Sequence, residues 1–313
     1  MPPSPSSTVL SWLIFILAII FFLSLDLGIF HRKARSIRLK EALIWTAIWF
    51  ALAMLFGLAL APALVPGWDR KGTYEFITGY IIELSLSMDN VFVIALLFAY
   101  WRVPQDFQHR ILFWGILGAL IMRGVMIWLG VSLIHRFTWM FYVLGAFLIF
   151  TGIRMVLAGS EEVHPEKNII IRLTRKFFPV SPDFDGQRFV TLMNGRRALT
   201  PMALVLLTVE SSDLIFAVDS VPAIFAVTQD AFIVFTSNVF AILGLRSLYS
   251  VLAGAIRYFR FLKAGLSVVL VFIGIKMLLN HTAYEVSIGL SLAVVAGIIL
   301  VSMLLSIVAA RRE

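Results

Sequence analysis

Two apolar stretches of the sequence carry acidic residues where a membrane helix ordinarily carries none. Residues 82–98 have the sequence IELSLSMDNVFVIALLF, and residues 207–225 have the sequence LTVESSDLIFAVDSVPAIF. Together they contain five carboxylates, which are Glu83, Asp89, Glu210, Asp213 and Asp219. An acidic side chain at the bilayer centre costs about 2.5–3.5 kcal/mol on insertion scales. Several acids in two apolar segments therefore indicate a functional site.

The composition is that of an integral membrane protein. Of the 313 residues, 60% are hydrophobic and 14% are charged, and the mean hydropathy is +0.95, whereas soluble domains carry about 25% charged residues. The chain contains no cysteine, which excludes disulfides and thiolate metal ligands. The net charge of +8 would suggest a nucleic-acid partner for a soluble protein. Here the positive-inside rule explains it, and we expect no nucleic-acid partner.

Nine segments are long and apolar enough to span a bilayer, which takes about 20 residues. We place them at about 9–30, 42–62, 76–100, 111–134, 138–157, 199–226, 231–255, 263–280 and 286–309. If the N-terminus is outside, the inside loops hold 20 Lys and Arg residues and the outside loops hold three. This asymmetry favours an N-terminus outside and a C-terminus inside. The sequence thus predicts an all-α polytopic membrane helix bundle.

An internal repeat relates two parts of the chain. LIFTGIRMVL (148–157) and LVFIGIKMLL (270–279) match at six of ten positions with an offset of 122, and Arg123 and Arg246 lie 123 residues apart. Each unit has three predicted spans, so the second copy enters the membrane from the opposite side. Inverted repeats of this kind are typical of secondary transporters. The predicted divisions are two N-terminal helices (1–65), a first repeat (66–158), a cytoplasmic linker loop (159–198), a second repeat (199–282) and a C-terminal helix (283–313).

The acids of each stretch do not share one face of a regular helix. Glu83 and Asp89 are six residues apart, as are Asp213 and Asp219, which places each pair about 120° from a common face. One cavity would collect all of them only if the helices are kinked or locally unwound. Pro222 and the serine-rich stretch before Asp89 supply means for such an interruption.

The chemistry of these residues suits a hard divalent cation. The candidate metal ligands are Glu83, Asp89, Asn90, Glu210, Asp213 and Asp219. Carboxylate and amide oxygens favour Mg²⁺, Ca²⁺ or Mn²⁺. Zinc and copper are disfavoured because there is no thiol and no histidine inside a predicted span. Met88 is a possible thioether ligand, although a methionine in a membrane helix usually serves packing.

Two buried arginines complete the charged set. We expect Arg123 and Arg246 to form ion pairs with the acids across the repeat interface, since unpaired buried charges are costly; binding of an oxyanion is the alternative. Asp26 and Asn238 are further candidates for ion pairing or gating. Protonation of the acids would also neutralise the empty site and would couple metal movement to protons.

Four stretches of the sequence resemble a known family: DLGIFHRK (26–33), IELSLSMDNVF (82–92), VESSDLIFAVDSVPAIF (209–225) and SNVFAILGLR (237–246). They are similar to those of the TerC family of bacterial integral membrane proteins, including the branch called Alx. The family was named for tellurite resistance, is similar to the LysE superfamily of exporters and has members associated with manganese efflux. The resemblance implies that the acids of residues 82–92 and 209–225 are functional and that Mn²⁺ is the cargo.

These observations lead to one main hypothesis and three alternatives. The main hypothesis is a Mn²⁺ exporter of the bacterial inner membrane that works by alternating access, is driven by protons and holds no permanent cofactor. Direct use of ATP is not expected because no phosphate-binding loop is present. The first alternative is a membrane scaffold or stress factor, conferring tellurite tolerance, in which the acids are structural. An intramembrane enzyme and a tellurite-oxyanion transporter using Arg123 and Arg246 are weaker alternatives.

Overall fold

The chain is a bundle of long helices with one small hairpin. The computed structural model describes residues 9–28, 39–157, 169–193, 195–253, 261–279 and 286–310. In order, the elements are α1 (Val9–Gly28), α2 (Leu39–Leu55), a π-helical segment (Phe56–Leu60), α3 (Ala61–Leu64), α4 (Arg70–Tyr100), α5 (Gln105–Arg136), α6 (Met140–Leu157), α7 (Ile169–Phe177), β1 (Val190–Met193), β2 (Arg196–Leu199), α8 (Pro201–Phe225), α9 (Ala231–Ala253), α10 (Leu262–Leu279) and α11 (Ile288–Ala310).

Seven helices in the described ranges are long and apolar enough to cross a membrane. They are Lys40–Leu64, Arg70–Tyr100, Gln105–Arg136, Met140–Leu157, Pro201–Phe225, Leu262–Leu279 and Ile288–Ser306. Two further helices have shorter apolar parts, Val9–Ser24 and Ala231–Leu245. The chain is therefore a multi-pass helical membrane protein. The number nine, the inverted repeat and the orientation stay predictions.

The two acid-bearing helices run without a break. α4 is helical from Arg70 to Tyr100, and α8 is helical from Pro201 to Phe225 with Pro222 inside it. The local unwinding expected from Pro222 and the serine-rich stretch is therefore wrong, while the expected kink at Pro222 stays a prediction. The serines bond within α4 without ending it: Ser85 donates to the Ile81 carbonyl oxygen at 2.6 Å, and Ser87 donates to Oε1 of Glu83 at 3.3 Å.

An irregularity occurs instead between α2 and α3, in the π-helical segment Phe56–Leu60. The Thr73 hydroxyl of α4 donates to the Gly57 carbonyl oxygen at 3.1 Å, and the ring of Phe76 lies where a side chain at residue 57 would be. Neighbouring helices commonly satisfy backbone groups that such a segment frees. α4 is thus held against the end of α2.

The helices of the two predicted repeats pack on one another in a reciprocal way. α4 packs on α9, α5 packs on α8, and α6 packs on α10. Glycines permit the close approach of α6 and α10, because Gly274 lies against the Gly145 carbonyl and Gly152 lies against Val271. The Ser267 hydroxyl of α10 donates to the Gly152 carbonyl oxygen. Small residues at such contacts are typical of membrane helix packing.

The predicted linker loop contains regular structure. Its described part holds α7 and an antiparallel hairpin in which Val190 pairs with Leu199 and Met193 pairs with Arg196. The hairpin turns at Gly195, whose φ of +77° suits glycine. Aromatic contacts hold this region to the start of α5, with Phe107 and Phe184 at 5.9 Å between ring centroids.

Candidate functional site: two acidic clusters

Arg123 is the centre of a buried polar network. It lies in α5, and its side chain is 1% exposed. It forms an ion pair with Glu83 of α4 and, through Nη2, a second one with Oδ1 of Asp213 of α8 at 3.2 Å. Its Nη1 also donates to the Ser220 hydroxyl at 3.1 Å and to the Asn238 amide oxygen at 3.0 Å. One guanidinium therefore joins four helices.

Helical spacing explains why these partners converge. Asp213 and Ser220 are seven residues apart on α8, so they share a face. Glu83 and Asn90 have the same spacing on α4, and the Asn90 amide donates to Oδ1 of Asp213 at 3.5 Å. The Arg123 network, defined as Arg123 with Glu83, Asp213, Ser220 and Asn238, is thus built from facing stripes of α4 and α8. α5 and α9 close it.

The network leaves three buried atoms without a hydrogen-bond partner among the described residues. They are Oε2 of Glu83, Oδ2 of Asp213 and Nε of Arg123. Buried polar atoms in folded proteins nearly always have partners. One oxygen of each carboxylate is therefore available to a further cation or to water.

Two of the remaining three acids of these stretches line a separate cavity of about 250 Å³. Asp89 of α4 and Asp219 of α8 both line it, as do Thr151 and Arg154 of α6 and Lys263 of α10. The Thr151 hydroxyl bonds to the Asp219 carboxylate, and Arg154 lies within electrostatic reach of it. Lys263 lies within electrostatic reach of Asp89. We call this space the Asp89–Asp219 cavity.

The separation of the two clusters follows from the unbroken helices. Residues six apart on one helix differ by about 120° in direction, so α4 and α8 each send one acid to the Arg123 network and one to the cavity. Asn90 connects the two clusters, since it lines the cavity and also donates to Asp213.

The remaining predicted site residues lie elsewhere. Glu210 is partly buried on α8, one turn before Asp213, and its carboxylate lies against Gly118 of α5. It is within electrostatic reach of Asp213 but belongs to neither cluster. The side chains of Asp26 and Arg246 lie outside the described part of the chain, so their predicted roles stay predictions. Nowhere in the described ranges do three or more Asp, Glu, His or Cys side chains converge as a metal-binding group.

The sequence interpretation misses four residues of these clusters: Ser220, Thr151, Arg154 and Lys263. Ser220 follows Asp219 directly, inside one of the two acidic stretches. Arg154 and Lys263 lie at the ends of predicted spans and enter that interpretation only among the 20 Lys and Arg residues counted for the orientation. Arg154 does carry a signal, because it lies opposite Lys276 in the repeat alignment.

Comparison with known proteins agrees with the sequence resemblance. The model of the "Integral membrane protein TerC family" matches residues 68–313. The chain is 49% identical over 303 residues to "Uncharacterized membrane protein STKORF319" of Myxococcus xanthus, which covers 96% of this chain and 92% of that protein. It is 44% identical over 304 residues to "Putative membrane-bound redox modulator Alx" of Escherichia coli (strain K12), covering 96% of this chain and 94% of that one. No solved structure matches. The chain belongs to the TerC family of integral membrane proteins.

Proposed function

We propose that this protein exports a divalent metal ion, with Mn²⁺ as the cargo, and that the ion binds in the Asp89–Asp219 cavity. The observation that carries the proposal is that this cavity contains one carboxylate from each predicted repeat. Secondary transporters built from inverted repeats bind their cargo between the repeats. The shared position of Asp89 and Asp219 fits that arrangement.

The donor set of the cavity suits a hard ion that keeps part of its water. Asp89, Asp219, Asn90 and Thr151 supply carboxylate, amide and hydroxyl oxygens. Hard divalent ions take six or more oxygen ligands and complete their shell with water. A volume of about 250 Å³ leaves room for several waters at about 30 Å³ each. The choice of Mn²⁺ among hard ions rests on the family resemblance.

The charges of the cavity support reversible binding. Without metal, Arg154 and Lys263 balance the two carboxylates, so the empty cavity carries no large excess charge. A divalent ion would take over that role and release the two cations. Proton uptake by the carboxylates is the alternative way to neutralise them, and it is our proposed route for coupling export to protons.

We also propose the direction and location of this activity. The excess of Lys and Arg in alternate loops supports an inner membrane protein with its N-terminus outside. Arg154 and Lys263 then belong to the cytoplasmic ends of α6 and α10. Reciprocal packing of α4 on α9 and of α5 on α8 supports alternating access by movement of one repeat against the other.

The test is the total manganese content of a manganese-sensitive bacterial strain, measured by elemental analysis. The strain expresses wild type, Asp89→Asn, Asp219→Asn, the exposed control Asp106→Asn, or no protein, at equal membrane levels. We expect wild type and Asp106→Asn to lower manganese and both cavity variants to fail, with zinc and iron unchanged. Unchanged manganese with wild type contradicts export. Full activity of the cavity variants contradicts the assigned site.

A second candidate function is a redox or stress factor that acts through protein complexes. Two observations favour it: several relatives are named "Putative membrane-bound redox modulator Alx", and Glu83 and Asp213 are paired with Arg123 as structural acids would be. The chain has no cysteine, so such a role cannot use its own thiols. On this hypothesis, Asp89→Asn and Asp219→Asn retain the stress phenotype and manganese is unaffected.

A further inference from the structure

Helix α7 presents three different faces around its axis. At 100° per residue, Ile171 and Thr174 point to one side, where both are buried. A second side is cationic, and a third is apolar and exposed. The exposed cationic residues are Arg172, Arg175 and Lys176, and the exposed apolar residues are Ile169, Ile170, Leu173 and Phe177.

The apolar face is large for so short a helix. Ile169 is 70% exposed and Phe177 is 69% exposed. The buried side does not compete for this face, because it is used where α7 packs on α8. An apolar face of this size rimmed by polar groups marks a contact with a membrane or a protein.

The position and charge of α7 select the membrane as that contact. The helix packs directly on α8, a candidate membrane span. Within the described residues, none of its three cations forms an ion pair, so the cationic face is available to an external anion. Exposed apolar residues beside Lys and Arg are typical of helices that lie in the membrane interface.

We propose that α7 lies in the plane of the membrane surface and binds anionic phospholipid headgroups. Ile169, Leu173 and Phe177 enter the acyl boundary, and the Arg172, Arg175 and Lys176 side chains contact the phosphates. Each cation near an anionic surface contributes about 1 kcal/mol, which is about a fivefold change in affinity. Three cations together correspond to on the order of a hundredfold.

The experiment uses the full-length protein, which has no native cysteine and so accepts single labels. A nitroxide is placed by Leu173→Cys on α7 or by Leu192→Cys on β1, where the native leucine is 74% exposed. Each labelled protein is reconstituted in nanodiscs of phosphatidylcholine alone or with phosphatidylglycerol. Accessibility of the nitroxide to oxygen and to a water-soluble nickel complex then reports its depth.

We expect the label at residue 173 to lie in lipid when phosphatidylglycerol is present and the label at residue 192 to lie in water in both nanodiscs. Replacing Arg172, Arg175 and Lys176 by Gln should lower the ratio of lipid-embedded to water-exposed label at residue 173 by on the order of a hundredfold. Replacing the exposed Arg188, Arg196 and Arg197 by Gln should leave this ratio unchanged. The proposal is overturned if the label at residue 173 is aqueous in both lipids, if phosphatidylglycerol makes no difference, or if both triple variants behave alike.

Discussion

Replacing Arg123 by Met tests the electrostatics of the buried network directly. The substitution keeps an unbranched apolar stem and removes the guanidinium that faces Glu83, Asp213, Ser220 and Asn238. Glu83 is 0% exposed and Asp213 is 14% exposed, so neither carboxylate gains access to bulk water. Both would be left buried without a cation.

The size of the effect follows from this burial. Removing one partner of a buried ion pair costs about 3–5 kcal/mol because the other charge remains unpaired. At about 2–4 °C per kcal/mol for a chain of this kind, the apparent melting temperature should fall by on the order of 10 °C. Glu83→Gln should cost much less, because Arg123 keeps Asp213 as its counter-ion. The double variant Arg123→Met/Glu83→Gln should recover part of the loss.

The assay is the temperature at which half of the purified protein in detergent remains monodisperse by size-exclusion chromatography. Unfolding of large membrane proteins is often irreversible, so wild type, the two single variants and the double variant are compared at one heating rate. Arg136→Met is the matched control, since Arg136 lies exposed in the last turn of the same helix. A surface substitution of this kind should change the free energy of unfolding by no more than about 0.5 kcal/mol.

Two results would refute the argument. If Arg123→Met has the same apparent melting temperature as wild type, the guanidinium does not hold the network together. If Glu83→Gln is as damaging as Arg123→Met, the two acids do not share one cation, and the asymmetry drawn from the geometry is wrong.

Two further predictions concern helix packing and pH. Gly274→Ala should destabilise by about 1–3 kcal/mol, because the new Cβ would lie 2.6 Å from the backbone carbonyl oxygen of Gly145; Gly297→Ala, with nothing within 4 Å, should be neutral or slightly stabilising in the same melting assay. Burial raises the pKa of Asp230 above its ordinary value of 3.8, although hydrogen bonds from backbone N–H groups in the first turn of α9 oppose this. The folded state thus holds this proton more tightly than the unfolded chain does. The stability of the wild type relative to Asp230→Asn should therefore fall as pH rises from 3.8 through the raised pKa of Asp230. Above that pKa the difference in stability should not change further. A difference between the two proteins that is constant with pH would contradict this prediction.

The insertion cost of charged residues identifies most of the site from the sequence alone. Acids in apolar segments point to five residues, and all of them except Glu210 belong to one of the two clusters. The same reasoning selects Arg123 as a residue that needs an acidic partner. These conclusions depend only on residue type and on the length of the surrounding apolar segment, which the sequence states fully.

The grouping of these residues could not be obtained in the same way. It depends on which face of each helix meets which neighbour, and on how the fold accommodates Pro222 inside α8. Local propensity predicts an interruption there, but α8 continues through this buried proline to Phe225. Arg154 and Lys263 are missed for a related reason, because a cation near a helix end can reach inward along its flexible stem and the sequence does not show in which direction it points.

The division of the acids into two clusters makes effects on folding and on the proposed transport separable by mutation. Asp89 and Asp219 are partly exposed in a cavity, so replacing them by Asn exchanges groups of similar shape. The cations that lose their counter-charge, Arg154 and Lys263, are exposed and partly exposed. Arg123 and Glu83 are almost wholly buried in a network that joins four helices, and changes there act first on the folded state. A loss of export in an Arg123 variant would therefore say little about the proposed metal site unless its stability has been measured. A loss in an Asp89 or Asp219 variant at wild-type stability would bear directly on the proposed cargo binding.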